Sequence, residues 1–270
     1  ARTIQSRLLP GRIPDVPGID LAATNITSAE VSGDYYDAIP MPDGRLVIII
    51  ADVSGKGIPA SLLASSLQAS LRAHCVASDS PAQILERVNV YLHESTDPVH
   101  FATLFLAIYD PSVRSLNYCS GGHNSPILRR NDGRIELLEK GGLPIGAFDF
   151  STYEEEMVHF DEGDVLFLYT DGLNESLSPE GEEFGTDRIE QLLGERHELE
   201  APALLSTMHD ELRTFCRRDQ ADDDVTLMAM KILVADEANR SRNSEQRNNT
   251  ADSTYEFQPP SMGAERENTP

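Results

Sequence analysis

Four aspartates stand at the ends of apolar stretches that have the length and composition of β-strands. Asp52 ends the stretch "LVIIIAD", and Asp171 ends the stretch "DVLFLYTD". Asp34 comes just before the strand of "SGDYYDAIP", and Asp223 lies in the acidic run that precedes the strand of "DDDVTLMAMKI". Two strands therefore finish in an acid and two begin from one. If these strands are antiparallel neighbours, the four carboxylates meet at one edge of a sheet.

Four gathered carboxylates without a basic partner repel one another, and a bound cation relieves that repulsion. Mg²⁺ and Mn²⁺ prefer oxygen ligands, so the pattern suggests a site for a hard divalent cation. Glycines beside the acids allow tight turns and a close approach of the backbone: Gly33, Gly55, Gly57 and Gly172. The pattern alone leaves an alternative open, because an aspartate after a strand is commonly a turn or cap residue. Four further aspartates fit that alternative: Asp37, Asp43, Asp110 and Asp132.

Other chemistries find less support in the motifs. A nucleotide-binding loop needs Gly-Lys followed by Ser or Thr, but Lys56 is followed by Gly57, so this lysine is interpreted as a solvated side chain. His123 in "CSGGHNSPIL" has no Cys or His beside it, which argues against zinc and favours a structural role in a loop. The sequence has no Gly-x-Ser-x-Gly elbow and no EF-hand loop, so neither a serine hydrolase nor a calcium-binding protein of that type is indicated.

The hydrophobic pattern predicts ten strands and four helices. Strands are expected over residues 19–27, 35–41, 45–52, 101–109, 113–119, 126–130, 134–139, 153–159, 164–170 and 224–232. Helices are expected over residues 58–76, 81–95, 186–194 and 201–217. Asp-Gly pairs in "MPDGR" and "NDGR" predict hairpins. Many hairpin-linked strands with paired helices predict an α+β fold, in which helices cover the faces of antiparallel sheets.

The composition argues against two classes of binding partner. The chain has 45 acidic residues against 22 Lys and Arg, which gives a formal net charge of −23. Nucleic acid and anionic membranes both require a cationic face, so neither is expected as a partner. The cysteines Cys75, Cys119 and Cys216 are far apart in the sequence and are expected to be reduced thiols of a cytosolic protein. No stretch approaches the roughly 20 apolar residues of a membrane span, and no signal peptide is visible.

The two ends of the chain differ from its central part. The stretch "ARTIQSRLLPG" predicts that residues 1–11 are the end of an incoming linker helix, stopped by Pro10 and Gly11. Residues 236–270 are rich in Asn, Ser, Glu, Arg and Pro and poor in aliphatic residues, which predicts a disordered tail. A single domain is expected between them, over residues 12–235.

The chain resembles the metal-dependent phosphatases of the protein phosphatase 2C type, in particular their bacterial SpoIIE/RsbU-like branch. The resemblance covers nearly all of residues 1–233 and rests on stretches that occur in the order "IQSRLLP", "SGDYYD", "ADVSGKGIPASL", "FATLFLAIYD", "GGHNSPIL", "LYTDGLNES" and "DDDVTLMAMKI". The ordered set is specific, although any one stretch is a weak signal. The resemblance implies an αββα sandwich, in which two antiparallel β-sheets are flanked by helices.

The resemblance also implies two Mn²⁺ or Mg²⁺ ions at one edge of this sandwich. Their ligands would be the carboxylates of Asp34, Asp52, Asp171 and Asp223 and the backbone carbonyl of Val53, with a shift of one residue left open at Asp223. Water activated by both ions would attack phosphorus in line, without a covalent phosphoenzyme. The residues expected at the rim of the active site are Gly33, Gly55, Gly57, His123 and Asn124.

The activity implied is that of a metal-dependent serine/threonine protein phosphatase in the cytoplasm, acting on a regulatory protein such as a STAS-domain anti-anti-sigma protein. An upstream sensor domain and a homodimer are typical of this branch. The alternative is a catalytically idle relative that sequesters a phosphorylated partner, but here all four ligand positions are filled. The stretch "NITSAEVSGD" lacks the Arg that grips phosphate in the eukaryotic enzymes, so the sequence leaves open how substrate phosphate is held.

Overall fold

The computed structural model describes residues 9–75, 80–97, 99–218 and 222–234, all within the compact unit Ala1–Val234. The predicted tail and most of the predicted linker helix lie outside the described residues and stay predictions. Five helices are described: α1 (Ile58–Cys75), α2 (Pro81–Ser95), α3 (Asp171–Asn174), α4 (Thr186–Arg196) and α5 (Ala201–Cys216). None of these helices is both long and apolar enough to cross a lipid bilayer.

Eleven strands are described, and they form two sheets. Their bounds are β1 (Ile19–Ile26), β2 (Tyr35–Pro40), β3 (Leu46–Val53), β4 (Ala102–Asp110), β5 (Ser115–Gly121), β6 (Ile127–Arg129), β7 (Ile135–Leu137), β8 (Gly141–Gly142), β9 (Glu156–His159), β10 (Val165–Tyr169) and β11 (Val225–Ile232). Sheet A has the order β1-β11-β10-β6-β7, and sheet B has the order β2-β3-β4-β5-β8, with β9 also paired to β5. The neighbours are antiparallel except β5 and β8, which share a two-residue parallel pairing.

The two sheets pack face to face, and two helices cover the outer face of each. The core between the sheets includes Ile48 of sheet B and Leu166 of sheet A. Helices α1 and α2 cover the other face of sheet B, where Leu67 belongs to the same core as Ile49. Helices α4 and α5 cover the outer face of sheet A, which carries Phe167. The predicted αββα sandwich is therefore confirmed.

Strand β3 is buried on both faces, which explains why its sequence is a continuous apolar run and not an alternation of apolar and polar residues. Three of its side chains enter the core between the sheets: Leu46, Ile48 and Ile50. The residues between and after them enter the core under α1 and α2: Val47, Ile49 and Ala51. Because both faces of the strand are buried, both sets of side chains must be apolar. The first polar residue of the strand, Asp52, therefore marks the point where it reaches the edge of the sandwich.

The predicted strands and helices are confirmed, with ends that differ by a few residues. Helix α2 begins as the sequence indicates, because the Ser80 hydroxyl accepts a hydrogen bond from the Gln83 backbone N–H at 3.2 Å. Gly44 and Gly133 have φ angles of +90° and +92°, which the two predicted hairpin turns require. The three cysteines are buried and free, as predicted. Elements as short as α3 and β8 escape prediction because they contain no periodic pattern.

Candidate metal centre

The strand register brings the four aspartates of the sequence pattern to one edge of the sandwich. In sheet B, Tyr35 pairs with Ala51, so Asp34 and Asp52 are neighbours at the same end of β2 and β3. In sheet A, the pairing between β10 and β11 runs antiparallel up to Tyr169 and Leu227, so Asp171 and Asp223 lie just beyond the same end of both strands. The predicted meeting of the four acids is therefore observed.

Asp34 connects the two sheets through its carboxylate. It belongs to the start of sheet B, is 3% exposed and accepts hydrogen bonds from two threonines of sheet A. The Thr170 hydroxyl lies 2.8 Å from its Oδ2 atom and the Thr226 hydroxyl lies 2.5 Å from the same atom. Burial, and next the negative charge of Asp52, raise the pKa of Asp34 well above its usual range, against the effect of the threonines.

The carboxylates of Asp52 and Asp171 lie in a mutually repulsive environment. Burial, and next the charge of Asp171, raise the pKa of Asp52 to about 6, although a hydrogen bond with Asp34 acts in the opposite direction. Burial, and next the charge of Asp223, raise the pKa of Asp171. These shifts indicate that Asp52 lies close enough to Asp171, and Asp171 to Asp223, for their negative charges to repel.

Asp223 differs from the other three acids because a lysine neutralises it. The Lys56 ammonium, in the loop between β3 and α1, lies 2.7 Å from Oδ2 of Asp223. The same ammonium donates a hydrogen bond to the Asp222 carbonyl oxygen at 3.0 Å. The sequence interpretation of Lys56 as a solvated side chain therefore misses its contact with the site.

Asp224 has a supporting position that the sequence does not reveal. Its carboxylate accepts hydrogen bonds from the Ser28 N–H at 2.7 Å, the Ser28 hydroxyl at 3.0 Å and the Gly33 N–H at 2.9 Å. It therefore fixes the segment that leads into Asp34, and its oxygens are occupied by protein donors. This arrangement favours Asp223 over Asp224 as the acid available to a ligand, in agreement with the expected register.

Gly33 lets the backbone of one ligand-bearing segment approach the next. A Cβ atom at this position would lie 3.0 Å from the Val53 carbonyl oxygen and 3.6 Å from Oδ1 of Asp52. A side chain here would crowd both oxygens, so the absence of a Cβ keeps space beside them. Gly172 is restricted in the same way, because its Cβ would overlap the carbonyl oxygen of Asp224.

The donor set fits a hard divalent cation in chemistry, although the side chains are not arranged as a finished coordination sphere. Among the described residues, no three acidic, His or Cys side chains form a ready-made metal-binding group. Protein donors hold two of the acids, since threonines bond to Asp34 and Lys56 pairs with Asp223. All the candidate ligands are nevertheless oxygen atoms, and the raised pKa values of Asp34, Asp52 and Asp171 mark a region that favours added positive charge.

The residues expected at the rim lie around this edge in different ways. Gly55 and Gly57 flank Lys56 and have φ angles of +94° and +74°. The Asn124 amide donates a hydrogen bond at 2.9 Å to Asn174, the last residue of the short helix that Asp171 begins. His123 is buried, and its Nδ1 lies 2.8 Å from the hydroxyl of Thr103, the residue paired with Asp52 in the β3–β4 ladder.

Burial lowers the pKa of His123 to about 4, so its imidazole is neutral at pH 7. A neutral histidine that bonds a strand hydroxyl has the structural role that the sequence favours for it. The described contacts include none between His123 and the four acids. Its assignment to the rim stays a prediction.

The interpretation of Asp37 as a turn residue is wrong. This aspartate is fully buried within β2 and faces α1, where its Oδ2 lies 2.7 Å from a guanidinium nitrogen of Arg72. The Tyr35 hydroxyl donates to the same oxygen at 2.6 Å. The other three members of that set are confirmed, because each accepts a local backbone hydrogen bond in a turn: Asp43, Asp110 and Asp132.

The two threonines that hold Asp34 are not among the site residues predicted from the sequence. A signal for them exists, since Thr170 directly precedes Asp171 and Thr226 lies three residues after Asp223. Because these threonines end paired strands, they point at the same place as the acids. A hydroxyl within three residues of an acid on each of two neighbouring strands is therefore a usable signal for a supporting donor.

Comparison with protein families and curated proteins gives matches over most of the chain. The family model described as Stage II sporulation protein E (SpoIIE) matches residues 42–233, well over half of the chain. Phosphoserine phosphatase RsbU of Bacillus subtilis is 28% identical over 235 residues, which are 87% of this chain and 69% of RsbU. Protein IcfG of Synechocystis is 29% identical over 256 residues, so this chain matches 85% of its own length but only 40% of IcfG.

Solved structures share the same fold. The RsbU and RsbW domains of a Mycobacterium tuberculosis protein align with a TM-score of 0.74 and 27% identity, over 89% of this chain and 72% of that chain. The SiaA-PP2C domain of Pseudomonas aeruginosa aligns with a TM-score of 0.74 and 20% identity, over 85% of this chain and 93% of that chain. RsbX, solved in complex with magnesium, aligns with a TM-score of 0.63 and 18% identity, over 82% of this chain and 98% of that chain.

Proposed function

We propose that this chain, which belongs to the SpoIIE family of PP2C-type phosphatases, removes phosphate from phosphoserine or phosphothreonine in a regulatory protein. The observation that carries the proposal is the convergence of Asp34, Asp52, Asp171 and Asp223 at one edge of the sandwich. The names of RsbU and RsbP of Bacillus subtilis, both phosphoserine phosphatases, support the same reaction class.

We infer that the four carboxylates and the Val53 carbonyl hold two Mn²⁺ or Mg²⁺ ions. Such ions would lower the pKa of water and neutralise charge on the phosphoryl oxygens. The chain itself contributes position: Thr170 and Thr226 hold Asp34, and Asp224 holds the backbone that precedes it. These hydrogen bonds hold the backbone segments that carry the ligands, which limits the movement required when ions and substrate bind.

The substrate that we propose is a phosphorylated STAS-domain protein of the anti-anti-sigma type, and the location that we propose is the cytoplasm. The resemblance to the RsbU-like branch supports both, as does the RsbU domain that a Mycobacterium tuberculosis protein joins to an RsbW domain. An upstream sensor domain and a homodimer belong to the same proposal. Nucleic acid and membrane surfaces are not proposed as partners, because the net charge of −23 disfavours both.

The experiment that tests the activity measures phosphate release from p-nitrophenyl phosphate and from a phosphoserine peptide, with Mn²⁺ or with EDTA. We expect turnover that requires the metal and that falls by about a hundredfold or more in Asp171→Asn, since loss of even an outer-shell partner commonly costs 10–100-fold. The matched control is Asp132→Asn, which changes an aspartate whose side chain is 56% exposed in a hairpin turn.

Three possible results distinguish an active phosphatase, an idle relative and a protein whose acidic edge has no role in turnover. Metal-dependent turnover that survives in the control and is lost in Asp171→Asn supports the phosphatase. Metal binding without turnover of either substrate supports the alternative of an idle relative that sequesters a phosphorylated partner. Equal turnover with Mn²⁺ and with EDTA contradicts the role of the acidic edge.

A further inference from the structure

Lys56 places a positive charge directly against the candidate metal centre. Its ammonium lies 2.7 Å from Oδ2 of Asp223 and 3.0 Å from the carbonyl oxygen of Asp222. Among the ion pairs of the described residues, the pair between Lys56 and Asp223 is the one that reaches the four acids.

The ion pair is exchangeable because neither side chain is buried. The Lys56 side chain is 61% exposed and the Asp223 side chain is 47% exposed. Exposed pairs of this kind contribute little to stability, so a ligand can replace either partner. The ammonium is therefore open to an incoming anion, while the carboxylate is open to an incoming cation.

The loop that carries Lys56 has open space beside the glycines on both sides of this residue. Gly55 and Gly57 have φ angles of +94° and +74°, and no atom lies within 4 Å of the position that a Cβ would take at either one. Lys56 therefore lies in a short loop between the end of β3 at Val53 and the start of α1 at Ile58. Its ammonium can move from Asp223 by rotation of the side chain without disturbing the core.

A phosphoryl dianion that approaches four carboxylates needs positive charge in addition to that of bound ions. The stretch "NITSAEVSGD", which leads directly into Asp34, contains no arginine for this purpose. A divalent cation held by Asp223 would replace Lys56 as its counter-charge, and the ammonium would keep only the Asp222 carbonyl oxygen as a partner. Lysine is a common phosphate ligand because its ammonium is a compact charge with three donors.

We propose that Lys56 binds the phosphoryl group of the substrate, and that its pairing with Asp223 is the resting position of this cation. The inference rests on the proposed phosphatase function and gives a substrate contact to a residue that sequence interpretation treats as solvated. Lys56 acts on binding, so its loss should weaken the affinity for phosphate and leave the chemical step nearly unchanged.

The first test measures binding of inorganic phosphate to the Mn²⁺-loaded protein by calorimetry. We expect the dissociation constant to rise about tenfold or more in Lys56→Met, as for loss of one charged hydrogen bond. In Lys56→Arg, which keeps the charge, we expect a change within about twofold. The matched control is Lys140→Met, because Lys140 is also exposed and pairs with Glu154 at 3.3 Å. Equal phosphate affinity in Lys56→Met and the wild type would overturn the proposal, as would no phosphate binding to the wild type.

The second test separates substrate binding from support of the metal site. For a phosphoserine peptide, we expect KM to rise about as much as the phosphate dissociation constant, with kcat changed by less than about twofold. The Mn²⁺ affinity of Lys56→Met should equal or exceed that of the wild type, because the variant removes a cation from Asp223. Weaker Mn²⁺ binding, or a loss confined to kcat, would overturn the proposal. If the wild type turns over no substrate, the proposed function fails, whereas the calorimetric result still decides the role of Lys56.

Discussion

Replacing Asp52 by asparagine should stabilise the metal-free protein while it removes a metal ligand. Burial and the charge of Asp171 raise the pKa of Asp52 to about 6, from an ordinary value of 3.8. The folded state therefore disfavours the ionised carboxylate. An asparagine keeps the shape of the side chain and can donate a hydrogen bond to Asp34, but it carries no charge. Without a bound cation, the ionised Asp52 carboxylate therefore lowers the free energy of unfolding.

The size of this effect follows from the difference between the two pKa values. At about 1.36 kcal/mol per pKa unit, the increase to about 6 corresponds to a penalty of about 3 kcal/mol. Below pH 3.8 the group is protonated in both the folded and the unfolded state, so the penalty is absent. As the pH rises from 3.8 to 6, the unfolded state loses its proton first and the free energy of unfolding falls. Above pH 6 the full penalty remains.

The assay is urea unfolding in EDTA at pH 8 and at pH 5. We expect the free energy of unfolding of Asp52→Asn to exceed that of the wild type by about 3 kcal/mol at pH 8 and by about half as much at pH 5. The control is Asp132→Asn, which replaces an exposed aspartate whose pKa is lowered by a hydrogen bond with Arg134 and should yield no gain. A variant no more stable than the wild type at pH 8, or a gain that grows as the pH falls, would refute the reasoning.

Addition of Mn²⁺ at about 100 times its dissociation constant should nearly abolish the difference in stability between Asp52→Asn and the wild type. A ligand that binds the folded state alone adds about 2.7 kcal/mol at a concentration of 100 times its dissociation constant. The wild type should gain this stabilisation at pH 8, whereas Asp52→Asn should gain much less because it lacks a ligand. Equal gains in both proteins would separate Asp52 from the metal centre.

Two further variants test the surroundings of the acids. Arg72→Ala should lower the free energy of unfolding, measured in urea, by about 2 kcal/mol, because it leaves the fully buried Asp37 without its cation. This figure is reduced because the guanidinium is half exposed to solvent. A loss no larger than that in Arg45→Ala would contradict the prediction. Gly33→Ala should weaken Mn²⁺ binding about tenfold in calorimetry, because the added Cβ would lie 3.0 Å from the Val53 carbonyl oxygen. An unchanged Mn²⁺ affinity would mean that the backbone accommodates the Cβ without displacing this oxygen.

The sequence was sufficient to predict the layers and the site because both depend on strand ends. The apolar run that finishes at Asp52 has no polar residue, so it must be buried on both faces and must leave the core at that acid. The run that finishes at Asp171 follows the same rule in the other sheet. Antiparallel pairing then brings strand ends and strand starts together, so the edge of the sandwich follows from local information.

The supporting contacts were not predictable in the same way because they join distant parts of the chain. The hydrogen bond from Gly33 to Asp224 spans 191 residues, and the one from Thr226 to Asp34 spans 192. Nothing in the neighbouring sequence distinguishes Asp224 from Asp223, and their different roles arise only when the segment containing Gly33 packs beside them. The prediction that Asp37 is a turn residue was wrong for a related reason. Its partner Arg72 lies on helix α1, and the packing of this helix on the sheet determines which of its side chains reach Asp37.

The position of Asp34 makes the site a property of the packed sandwich and not of either sheet alone. Asp34 directly precedes β2 of sheet B, whereas both hydroxyl donors that hold it belong to sheet A: Thr170 directly follows β10, and Thr226 lies at the start of β11. The core between the sheets therefore fixes the distance between Asp34 and its donors. A small slide of one sheet over the other would break these hydrogen bonds, whereas the register within each sheet, which aligns Asp52 with Asp34, would survive it. Changes in the core between the sheets should consequently disturb Asp34 before they disturb Asp52.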